Sequence, residues 1–369
     1  MKAHKDEKVF NPFPGLRPFT QEEANLFFGR EGQSKSVLES LRINNFVAVI
    51  GASGSGKSSL IYCGVIPELL SKKEEKWFVI SMRPGSNPLI NLLSALKSRY
   101  GNKVPEKKYD EVISGKISFR EWLDLFIPAK ESLLLVIDQF EEVFRYKNEE
   151  LSDYSKSGVE RFAEIIHKAS TSPKHPVSIV LTMRSDFIGE CAVFQDLTDL
   201  INRSNYLIPQ MTRSDFRKAI EGPVSVGGAN IAEDLVEQLL DEVGNNTDQL
   251  PVLQHALMRT WNYWALQNDV KKPISKGDYE AIGRMEKALS DHANEAYDEL
   301  NEEQRIICEL LFKTITEKGG DNRGVRRPAK IDRIAEITRR SIEEIIEVAE
   351  VFRSKGRTFL TPYKPVQLS

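Results

Sequence analysis

The stretch FVAVIGASGSGKSSLIYCGVI, Phe46 to Ile66, decides the fold. Its first five residues are apolar and largely β-branched, which suits a strand buried on both faces of a parallel sheet. A glycine-rich turn follows, and then a run of helical character. Within the turn, Gly51, Gly56, Lys57 and Ser58 occupy the fixed positions of the pattern G-x-x-x-x-G-K-[ST]. Physical chemistry accounts for that order. Glycines let the backbone wrap an anion and turn several N–H groups inward, while the helix that follows aims its positive end at the same point. Lys57 can then neutralise β- and γ-phosphates, and the Ser58 hydroxyl is placed to ligate Mg2+. The candidate phosphate cradle is therefore Gly51, Ala52, Ser53, Gly54, Ser55, Gly56, Lys57, Ser58 and Ser59. A glycine-rich surface turn is the competing reading, and the strand before and helix after it weigh against that.

Working outward, three more apolar runs recur: WFVIS (77–81), LLLVI (133–137) and SIVLT (178–182), with YLIP (206–209) as a shorter fifth. Amphipathic segments such as PLINLLSALKSRY (88–100) and GVERFAEIIHKAS (158–170) separate them, so the first part of the chain reads as a doubly wound α/β domain. Beyond about residue 212 the spacing of apolar residues becomes helical. SDFRKAIEGPV, AEDLVEQLLDEV and LPVLQHALMRTWNYWALQ are helix candidates there, followed by three more between residues 301 and 356. RTFLTPYKPVQLS, at the end, reads as one strand of a hairpin, and with the three helices it suggests a winged-helix module. The expected division is a lead-in over 1–30, a P-loop domain over 31–211, a helical lid over 212–298 and a winged helix over 299–369, cut short at its wing.

A phosphate cradle needs an acid on the metal side. LLLVIDQFEEVF puts Asp138 at the C-terminal end of a buried strand, where open α/β sheets bind their ligands. Asp138, holding the ion through water, and Ser58, ligating it directly, form the expected Mg2+ site. Glu141 and Glu142 follow within one turn, and either can orient or deprotonate an attacking water. Gln139 stands where many hydrolytic relatives carry that glutamate, so the choice between the two stays open; an acidic helix start is the plainer reading of both. A further strand ends LTMRSDF, and its tip brings Thr182 and Arg184 toward Asp138 as readers of a γ-phosphate, with an ordinary surface arginine as the alternative. His255 is read as structural rather than as a phosphate contact, and the cluster WNYW (261–264) as core. PGSNPLINLLSAL reads as a turn into an amphipathic helix before it reads as a second ligand loop.

Composition excludes some classes. Forty per cent hydrophobic and 28% charged residues are ordinary for a globular chain of 369 residues, and a net charge of −3 exerts no general pull on nucleic acid. Residues 301–369 carry 14 Lys and Arg against 11 Asp and Glu, a small excess for a DNA-binding module. No run reaches the length needed to span a bilayer, and the N-terminus has no apolar signal core. Cys63, Cys191 and Cys308 lie far apart without metal-ligand spacing, as in a reduced cytoplasmic protein.

These parts together resemble the STAND class of signal-transducing P-loop ATPases, and within it the bacterial branch called novel STAND NTPase 1. The likeness runs from about residue 11 to the end. NPFPGLRPFTQEEANLFFGRE is its most specific stretch, ending in Phe28-Gly29-Arg30, a segment that in related ATPases lies against adenine and ribose. MRPGSNPLINL (82–92), DQFEEVF (138–144), LTMRSDF (181–187) and DQLPVLQHALMRTW (248–261) also look like that branch; in the last, Pro251 stands where a helical-domain proline packs near the base. The resemblance implies an ASCE-type, AAA+-like core binding ATP or ADP with Mg2+, a helical lid and a winged helix that close over nucleotide. It offers Arg326 and Arg327 in NRGVRRPA as phosphate contacts, an exposed basic wing being the other reading. It further implies slow hydrolysis, nucleotide-dependent homo-oligomerisation, and a role in bacterial signalling or phage defence. Family members continue into a sensor or effector region, so a fragment or an unusually short member is expected here. The competing readings are a DNA-binding loader ATPase and a scaffold that holds nucleotide without hydrolysing it.

Overall fold

The computed structural model describes residues 10–72, 76–101, 105–126, 131–145, 153–171, 177–244, 249–267, 272–318, 324–326, 329–354 and 356–362. Its sheet has five parallel strands, β1 Phe46–Gly51, β2 Lys76–Met82, β3 Glu131–Ile137, β4 Ser178–Arg184 and β5 Asn205–Leu207, in the order β2-β3-β4-β1-β5. Four of the five apolar runs lie within these strands, and the fifth, YLIP, overlaps β5 and continues two residues past it. Their near-continuous hydrophobicity has a simple cause, because alternate side chains enter two different cores. Phe46, Ala48 and Ile50 join Leu133, Leu135, Ile179 and Leu181 in one. Val47 and Val49 join Leu134, Val136 and Val180 in the other.

Helices supply the opposite wall of each core. Leu92 and Leu96 of Pro88–Tyr100, Trp122 of Phe119–Phe126 and Phe162 of Asp153–Ser170 enter the first. Val37 and Leu41 of Gln33–Asn44 enter the second, with Leu60, Ile61 and Ile66 from the helix behind the glycine turn. That last helix runs as Lys57–Ser59, a π-helical Leu60–Val65 and Ile66–Leu70. Pro67 has no N–H to give the preceding turn, and the wide turn before it, in which the Ile66 N–H reaches the Ile61 carbonyl, accommodates the loss.

Register fixes where the strand ends lie. Gly51 of β1 stands opposite Arg184 of β4, and Ile137 of β3 stands opposite Leu181. The glycine turn, the residues after β3 and the tip of β4 therefore emerge together at the C-terminal edge of the sheet.

The chain divides into two compact units. One is Phe19–Ala219. The other gathers the lead-in up to Pro18 with Ile220–Asn245 and Gln249–Ser369, so the division falls inside the helix Arg213–Val226 and the helical and C-terminal segments form one body. In that second unit the lead-in docks on the helix Leu250–Leu266: Asn11 donates to the Met258 carbonyl at 2.9 Å, and Phe13 meets Trp261 edge-on. Helices Glu302–Thr314, Ile331–Thr338 and Ile342–Arg353 share a core built from Ile307, Leu311, Ile334, Ile345 and Phe352. A short antiparallel hairpin pairs Thr316–Lys318 with Gly324–Arg326. The strand expected from RTFLTPYKPVQLS is not formed over residues 356–362. The Phe359 N–H instead returns to the Phe352 carbonyl at 2.9 Å, folding the segment onto the helix end, where Phe359 and Leu360 join the core. Residues 363–369 lie outside the described part. The three cysteines are buried free thiols.

His255 and His292 sit in the same unit, both buried, with Nε2 and Nδ1 3.0 Å apart and Phe359 against both rings. Burial pulls each imidazole down to about 4, and the neighbouring His292 adds to the effect on His255. In the unfolded chain they titrate near 6.5. Between those values the unfolded chain binds more protons, so stability is lost as pH falls through the window. Thermal midpoints followed from pH 6.5 toward 4 should drop more steeply for the parent protein than for His292→Leu; parallel slopes would contradict a buried neutral pair.

Candidate phosphate and metal site

The glycine turn takes the shape its residues permit. Gly54 and Gly56 both adopt positive φ, 72° and 84°, and Gly56 caps the helix with no side chain on its free N–H groups. Lys57 folds back over the turn, its Nζ 3.0 Å from the Gly51 carbonyl and 2.6 Å from that of Ala52. Burial pulls its ammonium below the ordinary lysine range, opposed by the carboxylates of Glu141 and Asp138. The Ser55 Oγ is buried without a partner. An uncapped helix start, a buried ammonium and an unpaired hydroxyl together suit a phosphate chain.

Asp138 is the residue on which the surrounding contacts converge. It is only 1% exposed, and its Oδ1 accepts from Ser58 Oγ at 2.7 Å and from Thr182 Oγ1 at 2.7 Å. Its Oδ2 lies 3.5 Å from Arg83 Nε. Three backbone N–H groups position the turn after β3: Asp138 donates to the Met82 carbonyl, Gln139 to Thr182 Oγ1 and Phe140 to the Thr182 carbonyl, each at 2.9 Å. Ser58 and Asp138 are hard oxygen donors within bonding reach of each other, which suits Mg2+ held by one carboxylate, one hydroxyl and waters. Among the described residues no group of three or more His, Cys, Asp or Glu side chains is placed to hold a metal.

The two glutamates face different ways. Glu141 is buried, accepts the Arg184 backbone N–H at 3.3 Å, and is the strongest charged influence on Lys57. Glu142 turns to the loop after β2 and accepts the Gly85 N–H at 3.1 Å; burial pushes its carboxyl up, opposed by the Arg83 charge. The Arg184 guanidinium is held by Asp186, with Nε 3.0 Å from Oδ1, and lies over the Phe187 ring.

Several residues of the expected binding set have structural duties. Arg30 is buried, with Nη2 2.8 Å from the Ser55 carbonyl and Nη1 2.7 Å from the Pro209 carbonyl, so its fork joins the glycine turn to the chain beyond β5. Gly29 carries φ 85°, and an added Cβ there would lie 2.4 Å from the Asp215 carbonyl. Phe28 is half-buried beside it. Ser59 Oγ accepts the Phe19 N–H at 3.3 Å and so ties down the lead-in. Ala52 is half-buried and Ser53 exposed on the turn. Pro251 opens the helix Leu250–Leu266 in the other unit, where His255 also lies. The Arg326 side chain and Arg327 are outside the described residues. Sequence reasoning passed over Arg83 as an individual residue, although it closes an apolar strand with a polar tip, the same signal that singled out Arg184.

A family model described as Novel STAND NTPase 1 matches residues 12–361. No curated protein matches the chain. Among solved structures, the ORC1 protein of Aeropyrum pernix in complex with DNA is 14% identical with a TM-score of 0.52, covering 88% of this chain and 83% of that one. The Aeropyrum pernix ORC2 protein in ADPNP–ADP complexes is 14% identical with a TM-score of 0.47, covering 89% and 86%. A Walker-type ATPase of Pyrococcus abyssi is 15% identical with a TM-score of 0.45, covering 88% and 99%. At such identities the ORC1 likeness concerns the fold. No helix among the described residues is long and apolar enough to cross a membrane.

Thr182 both donates to Asp138 and receives the Gln139 N–H, so its loss removes two hydrogen bonds beside a buried carboxylate at once. Thr182→Val should cost about 1–3 kcal/mol in urea unfolding, and Thr182→Ser should stay near the parent value. A neutral Thr182→Val would refute this account of the site.

Proposed function

The chain belongs to the novel STAND NTPase 1 family, and from that premise we propose that it is an ATP-binding, slowly hydrolysing switch whose nucleotide state governs its conformation and self-assembly. The observation that carries the proposal is the contact of Ser58 with Asp138 across the C-terminal edge of the sheet, beside a lysine folded over a glycine turn. Gly51 to Ser58 bind the phosphates through backbone N–H groups and the Lys57 ammonium. Ser58 and Asp138 hold Mg2+, which supplies charge neutralisation on the phosphate oxygens when bound. Phe28, Gly29 and Pro251 are assigned to the adenine side, as the family resemblance implies.

Glu141 is the better candidate for the water-activating base. It is the buried carboxylate facing Lys57 and the tip of β4, whereas Glu142 is engaged with the Gly85 N–H. Arg184 reads the γ-phosphate by leaving Asp186 for it, since a phosphate offers the same bidentate match to the guanidinium fork. Switching requires ATP and ADP to favour two conformations unequally. We assign the responding part to the helical segments after Ile220 and to the module of three helices and a hairpin beyond residue 301, read as a winged helix. Bacterial signalling or defence against phage is the setting the family suggests for such a device.

Lys57→Ala should weaken ATP binding by about tenfold or more, read by calorimetry with Mg2+ present. Glu141→Gln should slow phosphate release about 100-fold while ATP binding persists, and Glu142→Gln should do less. The particle mass by light scattering should rise on exchange of ADP for a non-hydrolysable ATP analogue. A mass that is the same with both nucleotides would defeat the switch reading, and equal turnover by Lys57→Ala and the parent would defeat the ATPase reading.

A further inference from the structure

The cation at the end of β2 has no part in the scheme above, yet it lies against the metal-side acid. Arg83 follows Met82 directly, and its Nε is 3.5 Å from Oδ2 of Asp138, the oxygen that accepts neither hydroxyl. The two side chains are unlike in setting: Asp138 is 2% exposed and Arg83 39%. Arg83 is therefore anchored by the carboxylate while open to solvent on its other side. Its second acidic neighbour is Glu142, on which it acts as the strongest charged influence. The loop that carries it is tied at both edges. Glu142 accepts the Gly85 N–H at 3.1 Å, and Asn91 Nδ2 donates to the Pro84 carbonyl at 2.8 Å. Below it, Tyr62 from the π-helical turn bonds Ser81 and has its hydroxyl pushed up to about 12 by burial, with the Asp138 charge adding.

We propose that Arg83 sets the magnesium requirement for nucleotide binding, its guanidinium competing with the divalent cation for the carboxylate of Asp138. This rests on the reading of Ser58 and Asp138 as the metal ligands. The physical ground is Coulombic. A fixed positive charge a few ångströms from a carboxylate repels a dication brought to that carboxylate, and burial of Asp138 limits how far water can screen the repulsion. Arg83 pairs with Oδ2 while Ser58 donates to Oδ1, so its contact with the bare carboxylate is favourable while its effect on a metal there is opposed. Glu142 is a second acidic partner for the guanidinium, and it is itself bonded to the loop after β2.

The test is equilibrium binding of a fluorescent, non-hydrolysable ATP analogue, titrated with Mg2+ at fixed nucleotide and repeated in excess chelator. Arg83→Gln should lower the Mg2+ concentration at half-maximal binding roughly tenfold, with affinity in chelator little changed. Arg83→Lys, which keeps the charge, should stay near the parent midpoint. Arg83 is one of three partners of a buried carboxylate. The melting temperature of each variant is therefore measured alongside to establish that it is folded at the assay temperature, and Arg83→Lys, which keeps the cation, is the folded control. An Arg83→Gln midpoint that is unmoved or raised in a folded protein overturns this inference alone. Parent protein that binds the analogue equally with and without Mg2+ overturns it together with the metal-site reading.

Discussion

A carboxylate that is 1% exposed dictates the design of this sheet edge. Taking an ion out of water costs several kcal/mol even after relaxation, and the molecule offsets that cost by bringing three partners to Asp138 from three different strands or their ends. Ser58 comes from behind β1, Thr182 from β4 and Arg83 from β2. Remove the strand order and none of these partners can arrive. With β4 lying between β1 and β3, Thr182 sits beside Asp138 in register, and the glycine turn reaches across from one strand further on. The site is thus less a loop decorated with polar residues than a consequence of which strands are neighbours.

The same logic identifies polar residues near the glycine turn whose partners lie within the protein itself. Arg30 has the chemistry of a ligand contact, but its fork is spent on two backbone carbonyls, one of them in the glycine turn. Ser59 has its hydroxyl on the lead-in. Each ties part of the cradle to a neighbouring segment of the chain.

Much of this was legible in the chain itself. The central strands β1, β3 and β4 were readable because they are buried on both faces, so that FVAVI and LLLVI lack the polar alternation that would have made them ambiguous. The glycine turn was readable because positive φ demands glycine at Gly54 and Gly56. Asp138 was readable as a charge ending an apolar run. What escaped reading was long-range. No spacing in the sequence says that Arg83 is anchored on Asp138, since that requires knowing that β2 pairs with β3. The terminal segment misled for a related reason. RTFLTPYKP has the alternation of a strand, but a single bond from Phe359 to Phe352 turns it onto a helix end, and its apolar side chains find burial there without a sheet.

The conformation of Gln139 decides which of the following side chains returns to the sheet edge. Its φ of 59° lies in the left-handed region, which costs a non-glycine residue on the order of 1 kcal/mol or more. Three consecutive N–H groups, from Asp138 to Phe140, impose that conformation by bonding to β2 and β4. Phe140, fully buried between Phe144 and Phe162, anchors the far side of the turn. The chain is thereby reversed immediately after Asp138. Residue 139 uses its N–H on Thr182, residue 140 points into the core, and residue 141 is the first whose side chain returns to the sheet edge, beside Lys57 and the backbone of Arg184. The turn thus returns Glu141, and not residue 139, to the sheet edge, which is the geometric ground for proposing Glu141 as the base.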